Sequence, residues 1–290
     1  MNDFFAPAPP ALEALRPSLA HILEQAVAIA RGAGEILRAG FAQLTTQRAA
    51  PEMRFKSSEF DPVTEFDHRS EAFIVAALQR AFPEHRIVGE EGGAYAAPAA
   101  GDGELICEWH VDPLDGTVNF AHGFPAFAVS LGLLVDGWPT LGVVYDPMAD
   151  EMFSAAHGMG ATLNGRPIRV STIDALGAAL LNTGFPYDCH VSEENNFAQF
   201  IAFQRLTQGV RRVGSAALDL CTVACGRMDG YWELKIKPHD IAAGIVIVRE
   251  AGGTVTDFAG GQAMFARQQV VASNGRLHAA MLEVLRASSV

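Results

Sequence analysis

Asp112 and Asp115 stand three residues apart in Trp109-His110-Val111-Asp112-Pro113-Leu114-Asp115-Gly116-Thr117, where an apolar run that begins at Leu105 ends. Pro113 and Gly116 mark a tight turn on which both carboxylates can converge. Converging carboxylates repel one another unless a cation joins them, and a hard divalent ion prefers oxygen ligands. The Leu114 carbonyl, between the two, can add a further oxygen. Just beyond, the amides of Gly116 and Thr117 can face an anion, and the glycine lets backbone approach closely. A cation beside an anion cradle is an apparatus for phosphate chemistry. Asp and Gly are also ordinary turn residues, so a self-capping turn explains the same stretch.

Other acids sit where loops leave regular elements. Glu90-Glu91 follow the short apolar strand Arg86–Gly89 and precede Gly92-Gly93, a placement typical of site loops. Asp67 stands three residues after Thr64, and the pair reads as a capping box at the start of a helix whose buried face is Phe73, Ile74, Ala77, Leu78 and Phe82. Capping alone accounts for Asp67. Asp240 reads as the N-cap of a helix reaching Glu250. Ser215 opens another helix, and Glu233 ends a strand. Each of these has an ordinary structural explanation when taken singly.

The elements that must position these residues follow from periodicity. Ser18–Phe41 has helical spacing of apolar residues, with Gly32, Gly34 and Gly40 weakening its end. Pro7, Pro9, Pro10 and Pro17 imply a loose N-terminal arm, and Thr45–Phe60 reads as a mobile loop. Phe127–Val135, Leu141–Tyr145 and Met152–Ala156 form a meander with turns at Asp136-Gly137 and Asp146-Pro147, and Asn164-Gly165 signals a hairpin. Two helices followed by this meander predict an α+β first part. From Leu176 strands and helices alternate: strands at Ala178–Asn182, Val210–Val213, Gly230–Leu234, Thr254–Phe258 and Val270–Ala272, and helices at Ser192–Gln208, Ala216–Arg227, Asp240–Glu250 and His278–Ala287. The expected division is an α+β domain over 1–174 and an α/β domain over 175–290.

Composition narrows the class. The 290-residue chain is 49% hydrophobic with a net charge of −12, which suits a globular enzyme and argues against nucleic acid as a partner. No apolar run approaches the roughly 18 residues of a membrane span, and the N-terminus lacks a basic-then-apolar leader pattern. The four cysteines show no CxxC pair; Cys221 and Cys225, at helical spacing, read as core thiols of a reducing compartment. No GxSxG elbow, GxxxxGK[ST] loop or HExxH spacing occurs, so a side-chain nucleophile, a P-loop and a zincin site are not indicated.

Taken in order, Gly89-Glu90-Glu91, Asp112-Pro113-Leu114-Asp115-Gly116-Thr117 and Pro238-His239-Asp240-Ile241-Ala242-Ala243-Gly244 resemble the three signatures of the inositol monophosphatase family. Lys56-Ser57-Ser58, Asp61-Pro62-Val63-Thr64 with Asp67, Gly214-Ser215-Ala216-Ala217 and Tyr231-Trp232-Glu233 resemble its supporting pieces, and the likeness runs from Leu19 to the C-terminus. The resemblance implies a layered αβαβα sugar-phosphatase fold, an antiparallel sheet with helices giving way to a mixed sheet with helices. It implies two or three Mg²⁺ ions held by Glu90, Asp112, the Leu114 carbonyl, Asp115 and Asp240, with Asp112 bridging. In the catalytic roles, Glu90 and Thr117 would orient the attacking water, while Asp67, with Glu91 behind, would support a weaker ion. Gly116 and Thr117 would hold phosphate; Gly214, Ser215, Ala216 and Glu233 would meet the polyol, with Asp115 and Asp240 beside it. The implied function is a cytoplasmic, homodimeric phosphomonoesterase for inositol monophosphate or a similar small polyol phosphate. The same scaffold resembles enzymes for fructose 1,6-bisphosphate, histidinol phosphate, NADP and 3′-phosphoadenosine 5′-phosphate, and some bacterial relatives act as regulatory partners of transcription. One departure stands out: His239 occupies the place where the family usually carries Trp.

Overall fold

The computed structural model describes residues 11–47, 53–55, 62–95 and 104–288. Its elements in chain order are α1 (Ala11–Gln47), β1 (Met53–Phe55), β2 (Pro62–Thr64), α2 (Glu65–Ala81), β3 (Arg86–Gly89), β4 (Gly93–Tyr95), β5 (Cys107–Asp115), α3 (Thr117–Ala121), β6 (Ala128–Val135), β7 (Trp138–Asp146), β8 (Glu151–Ala156), β9 (Gly160–Leu163) and β10 (Arg166–Pro167). There follow β11 (Leu180–Thr183), α4 (Phe197–Leu206), β12 (Gly209–Arg211), α5 (Ala216–Ala224), β13 (Gly230–Leu234), α6 (Pro238–Glu250), β14 (Thr254–Thr256), α7 (Met264–Arg267), β15 (Gln269–Ser273) and α8 (His278–Ser288).

An eight-stranded sheet of order β10-β9-β8-β7-β6-β5-β3-β4 is antiparallel except where β3 runs parallel to β5. A five-stranded mixed sheet has the order β12-β11-β13-β15-β14. Helices α1 and α2 cover one face of the large sheet, α5 and α6 lie between the two sheets, and α4 and α8 cover the far face of the small one. The expected αβαβα layering is therefore present. Asp136-Gly137 and Asn164-Gly165 both take positive φ at their two residues, the geometry that short hairpins favour.

The structure also corrects several expectations. Pro17 lies inside α1, which starts at Ala11, because Leu12 and Leu19 are buried on one face and hold the helix together across the missing amide. Gly32, Gly34 and Gly40 do not weaken the helix end. A β-carbon at each would fall within 2.5 Å of the rings of Phe73, Tyr145 and Phe66, so they are the seats of packed aromatics. Phe73 is 40% exposed rather than buried. Thr45–Gln47 belong to α1 and Met53–Phe55 form a strand; Lys56-Ser57-Ser58, Asp61, Pro7, Pro9 and Pro10 lie outside the described residues. Helix α4 begins at Phe197 rather than Ser192, since Asp188–Ser192 fold into a turn in which the amides of Val191 and Ser192 donate to the Asp188 carbonyl. Asp240 is the third residue of α6 rather than its cap.

Among the described residues no helix is long and apolar enough to cross a membrane. The four cysteines are free thiols, with Cys221 buried in α5.

Candidate active site

Residues three apart on a regular strand point to opposite faces. Strand β5 escapes that rule. Its register against β6 runs Asp112↔Ser130 and then Asp115↔Ala128, so one extra residue is bulged out around Pro113, which has no amide to pair. The bulge returns Asp115 to the side of Asp112. The expected turn is thus a bulged strand end, and Gly116, at φ +99, makes the turn that follows. A β-carbon there would sit 2.9 Å from the Ala126 carbonyl oxygen.

The parallel neighbour delivers the next acid. Glu90 follows β3, and its amide donates to the Val111 carbonyl at 3.1 Å, which sets it beside Asp112. Asp240 arrives from the far half of the chain at the N-terminus of α6, where one carboxylate oxygen accepts from the Lys237 amide at 2.8 Å. Glu90, Asp112, Leu114, Asp115, Gly116, Thr117, Gly214, Ser215, Ala216, Glu233 and Asp240 all line one cleft. Burial lifts the Asp112 carboxyl well above the ordinary range, and the charges of Glu90, Asp115 and Asp240 lift it further. Asp115 is pushed up to about 7, chiefly by burial.

Hydrogen bonds set the geometry of these oxygens. Asp112 Oδ1 accepts from the Leu114 amide at 3.0 Å. Asp115 Oδ2 accepts from Ser215 Oγ at 2.6 Å and from the Ala217 amide at 2.7 Å, tying the bulge to the start of α5. Ser215 is the N-cap of that helix, accepting from the Leu218 amide at 3.3 Å, so one hydroxyl both caps α5 and holds Asp115. Among the described residues no three His, Cys, Asp or Glu side chains are grouped so as to hold a metal ion in this arrangement; the chemistry of the set, all oxygen, half-buried around Asp112 and drawn from separate segments, is that of a hard divalent cation's ligands. Glu90, Asp112, Asp115, Asp240 and the Leu114 carbonyl are the groups that would hold it.

Asp67 has a different place. It is fully buried and caps α2, accepting from the Thr64 amide at 2.8 Å and Thr64 Oγ1 at 2.6 Å, and its other oxygen accepts from Thr117 Oγ1 at 2.9 Å. It stands behind Thr117, outside the cleft wall. Thr117 Oγ1 also lies 3.0 Å from the Leu114 carbonyl oxygen.

Elsewhere in the cleft, Tyr231 donates its hydroxyl to Glu233 Oε2, and burial raises the Glu233 carboxyl to about 7. His239 lines the cleft between acids, its Nε2 3.4 Å from Asp240 Oδ1 and 3.8 Å from Glu90 Oε1. A polar ring therefore touches two candidate ligands.

Three supporting residues escaped the sequence reading. Glu71, buried in α2, accepts from the amides of Glu91 and Gly92 at 2.9 and 2.6 Å and from the Tyr95 hydroxyl at 2.8 Å, fixing the turn that carries Glu90. The signal was its position one helical turn after Asp67. Asn119 donates Nδ2 to the carbonyls of Ala126 and Val213 at 2.8 and 2.9 Å, joining the Gly116 turn to the Gly214 turn. Asp219, buried beside Glu233, accepts from Asn182 Nδ2 at 3.0 Å and carries a carboxyl raised well above its usual range, first by burial and then by Glu233. Nothing in the spacing of Asn119 or Asp219 marks either one.

Carboxylates gathered on one cleft beside the Gly116 turn, set in a five-layered αβαβα frame, are the setting of a phosphatase. The chain belongs to the inositol monophosphatase family, whose description matches residues 18–289. It is 46% identical over 253 residues to the inositol-1-monophosphatase of Synechocystis, covering 87% of this chain and 86% of that protein. It is 42% identical over 257 residues to the Nus factor SuhB of Pseudomonas aeruginosa, covering 84% and 94% respectively. The solved inositol monophosphatase of Anabaena superposes with a TM-score of 0.81 at 42% identity, covering 93% of this chain and 97% of that one.

Proposed function

We propose that this protein is a Mg²⁺-dependent phosphomonoesterase that hydrolyses inositol monophosphate or a similar small polyol phosphate with an activated water. The observation that carries the reading is the convergence of Glu90, Asp112, Asp115 and Asp240 on one cleft beside the Gly116 and Thr117 amides. When bound, Mg²⁺ supplies charge neutralisation at the phosphoryl oxygens and acidifies water. Two or three ions are proposed. Glu90 and Thr117 orient the water, with Asp67 holding the Thr117 hydroxyl from behind. The amides of Gly116 and Thr117 hold phosphate. Gly214, Ser215, Ala216, Glu233 and Asp240 meet the hydroxyls of the leaving alcohol.

We further propose a cytoplasmic homodimer, with an α+β part over 1–174 and an α/β part over 175–290. The test is phosphate release at neutral pH, with and without Mg²⁺, from inositol 1-phosphate, glycerol 2-phosphate, fructose 1,6-bisphosphate, histidinol phosphate, NADP and 3′-phosphoadenosine 5′-phosphate. Mg²⁺-dependent release with preference for the inositol ester is expected. Release that ignores Mg²⁺ overturns the mechanism, and preference for another ester moves the substrate.

A second reading is favoured by the relatives named Nus factor SuhB: a regulatory role through a protein partner. The acidic charge and the complete carboxylate set favour catalysis as the main role.

A further inference from the structure

The segment 184–196 leads from β11 to α4 and brings Phe185, Pro186 and Tyr187 into the cleft wall. Its ends are pinned together. Asn196, 1% exposed, donates Nδ2 to Thr183 Oγ1 at 2.9 Å and to the Gly184 carbonyl at 2.6 Å, and accepts from Trp232 Nε1 at 2.7 Å. The middle of the segment is tied to the end of β13 by Lys235. Its Nζ donates to Asp188 Oδ2 and to Ser192 Oγ, each at 2.7 Å.

Lys235 has φ +57, a left-handed conformation that a β-carbon disfavours and glycine enters freely. A side chain is carried here against that preference. The same side chain lines the cleft two residues beyond Glu233 and bonds across to the segment that forms the wall. A β-carbon on Gly184 would lie 2.1 Å from Glu233 Oε2, so the first residue of the segment rests on that carboxylate. The wall is therefore packed directly against the Glu233 carboxylate.

We propose that Lys235 is a positioning residue, which holds the Phe185–Tyr187 wall and Glu233 in place against the part of the substrate that lies beyond the phosphate. The role rests on the phosphatase reading above. The phosphate end is built on β5, α3 and α6 instead, so releasing the wall weakens substrate binding and leaves the chemistry at phosphorus nearly intact.

Lys235→Gly suits the left-handed backbone, so the variant folds. Its thermal midpoint is expected within about 3 °C of the parent. KM for inositol 1-phosphate is expected to rise about five- to tenfold with kcat within about twofold. Amide exchange across residues 185–192 quickens. Lys235→Arg restores KM by keeping a cationic donor. Asp188→Asn raises KM similarly and adds little in combination with Lys235→Gly, as two partners of one contact should. Unchanged KM and unchanged exchange in Lys235→Gly, in a protein whose parent turns over, overturn the positioning role alone. A parent with no phosphatase activity on any ester overturns the function and this role with it.

Discussion

In the proposed mechanism Asp112 is the central residue, because it is buried beside Glu90, Asp115 and Asp240. Asp112→Asn removes one negative charge from that cluster. Turnover should fall by at least about 10³-fold, the loss of several kcal/mol of charge stabilisation at 1.36 kcal/mol per decade. In metal-free buffer the same variant should unfold at a higher temperature than the parent, since it relieves buried like-charge repulsion. Saturating Mg²⁺ should stabilise the parent more than the variant, because an ion that binds only the folded state shifts unfolding by mass action. Calorimetry with and without Mg²⁺ checks both signs, and a parent indifferent to Mg²⁺ would remove the basis of the metal assignment. Glu71→Ala leaves two amides and a hydroxyl without their acceptor. It should cost about 2–4 kcal/mol in urea unfolding and lower kcat by displacing Glu90. Asp112, Asp115 and Asp240 were legible in the sequence because their spacing and flanking residues make a pattern. Glu71 was marked only by its place one helical turn after Asp67, and Asn119 and Asp219 not at all, since the partners that matter, Glu91 and Gly92 for Glu71, Val213 for Asn119 and Asn182 for Asp219, lie twenty or more residues away.

Helix α6 shows why one signature segment reads as it does. Ala242, Ala243 and Gly244 follow Asp240 and are buried between two layers. A β-carbon on Gly142 of β7 would meet the Ala243 carbonyl oxygen at 2.2 Å, and one on Gly132 of β6 would meet the Ala242 β-carbon at 2.5 Å. On its other side a β-carbon on Gly244 would fall 2.4 Å from Leu220 Cδ1 of α5. Small residues on both partners let α6 approach the large sheet closely enough for Asp240 to reach the ends of β3 and β5. Gly142→Ala should therefore destabilise by about 1–3 kcal/mol as an overpacked core and lower activity by tilting α6 away. Equal urea midpoints for parent and variant would contradict this packing. Element types were largely legible, because the meander and α2 carry strong period and turn signals. Boundaries shifted where tertiary contacts overrode local preference. Pro17 is retained inside α1 by the burial of Leu12 and Leu19, and α4 gives up Ser192–Asn196 to the segment that Lys235 ties down.

The whole molecule responds to pH through groups with opposite signs. His278 opens α8 and is buried, its Nε2 2.9 Å from Thr256 Oγ1 of β14 and its Nδ1 3.0 Å from Ser273 Oγ of β15. Burial lowers its imidazole to about 4. A group lowered in the folded state stabilises the fold above its unfolded value of about 6.5, and that stability is lost as pH falls from there toward 4. Glu233, raised to about 7 by burial, has the opposite sign: its contribution is present below about 4.5 and is lost as pH rises toward 7. Asp112, Asp115 and Asp219 are raised with the same sign as Glu233, so the parent profile sums several slopes and does not isolate that of His278. Replacing His278 with Gln removes one slope. The variant should be less stable than the parent at pH 7.5, where it loses a buried ring and its hydrogen bonds. That deficit should then shrink by about 2–3 kcal/mol as pH falls to 4.5, because only the parent carries an imidazole that takes up a proton once unfolding exposes it. Urea midpoints for both proteins at the two pH values measure the change. A deficit that stays constant would mean that His278 titrates alike in the folded and unfolded chains, and the join of β14, β15 and α8 would then contribute nothing to the acid sensitivity of the molecule.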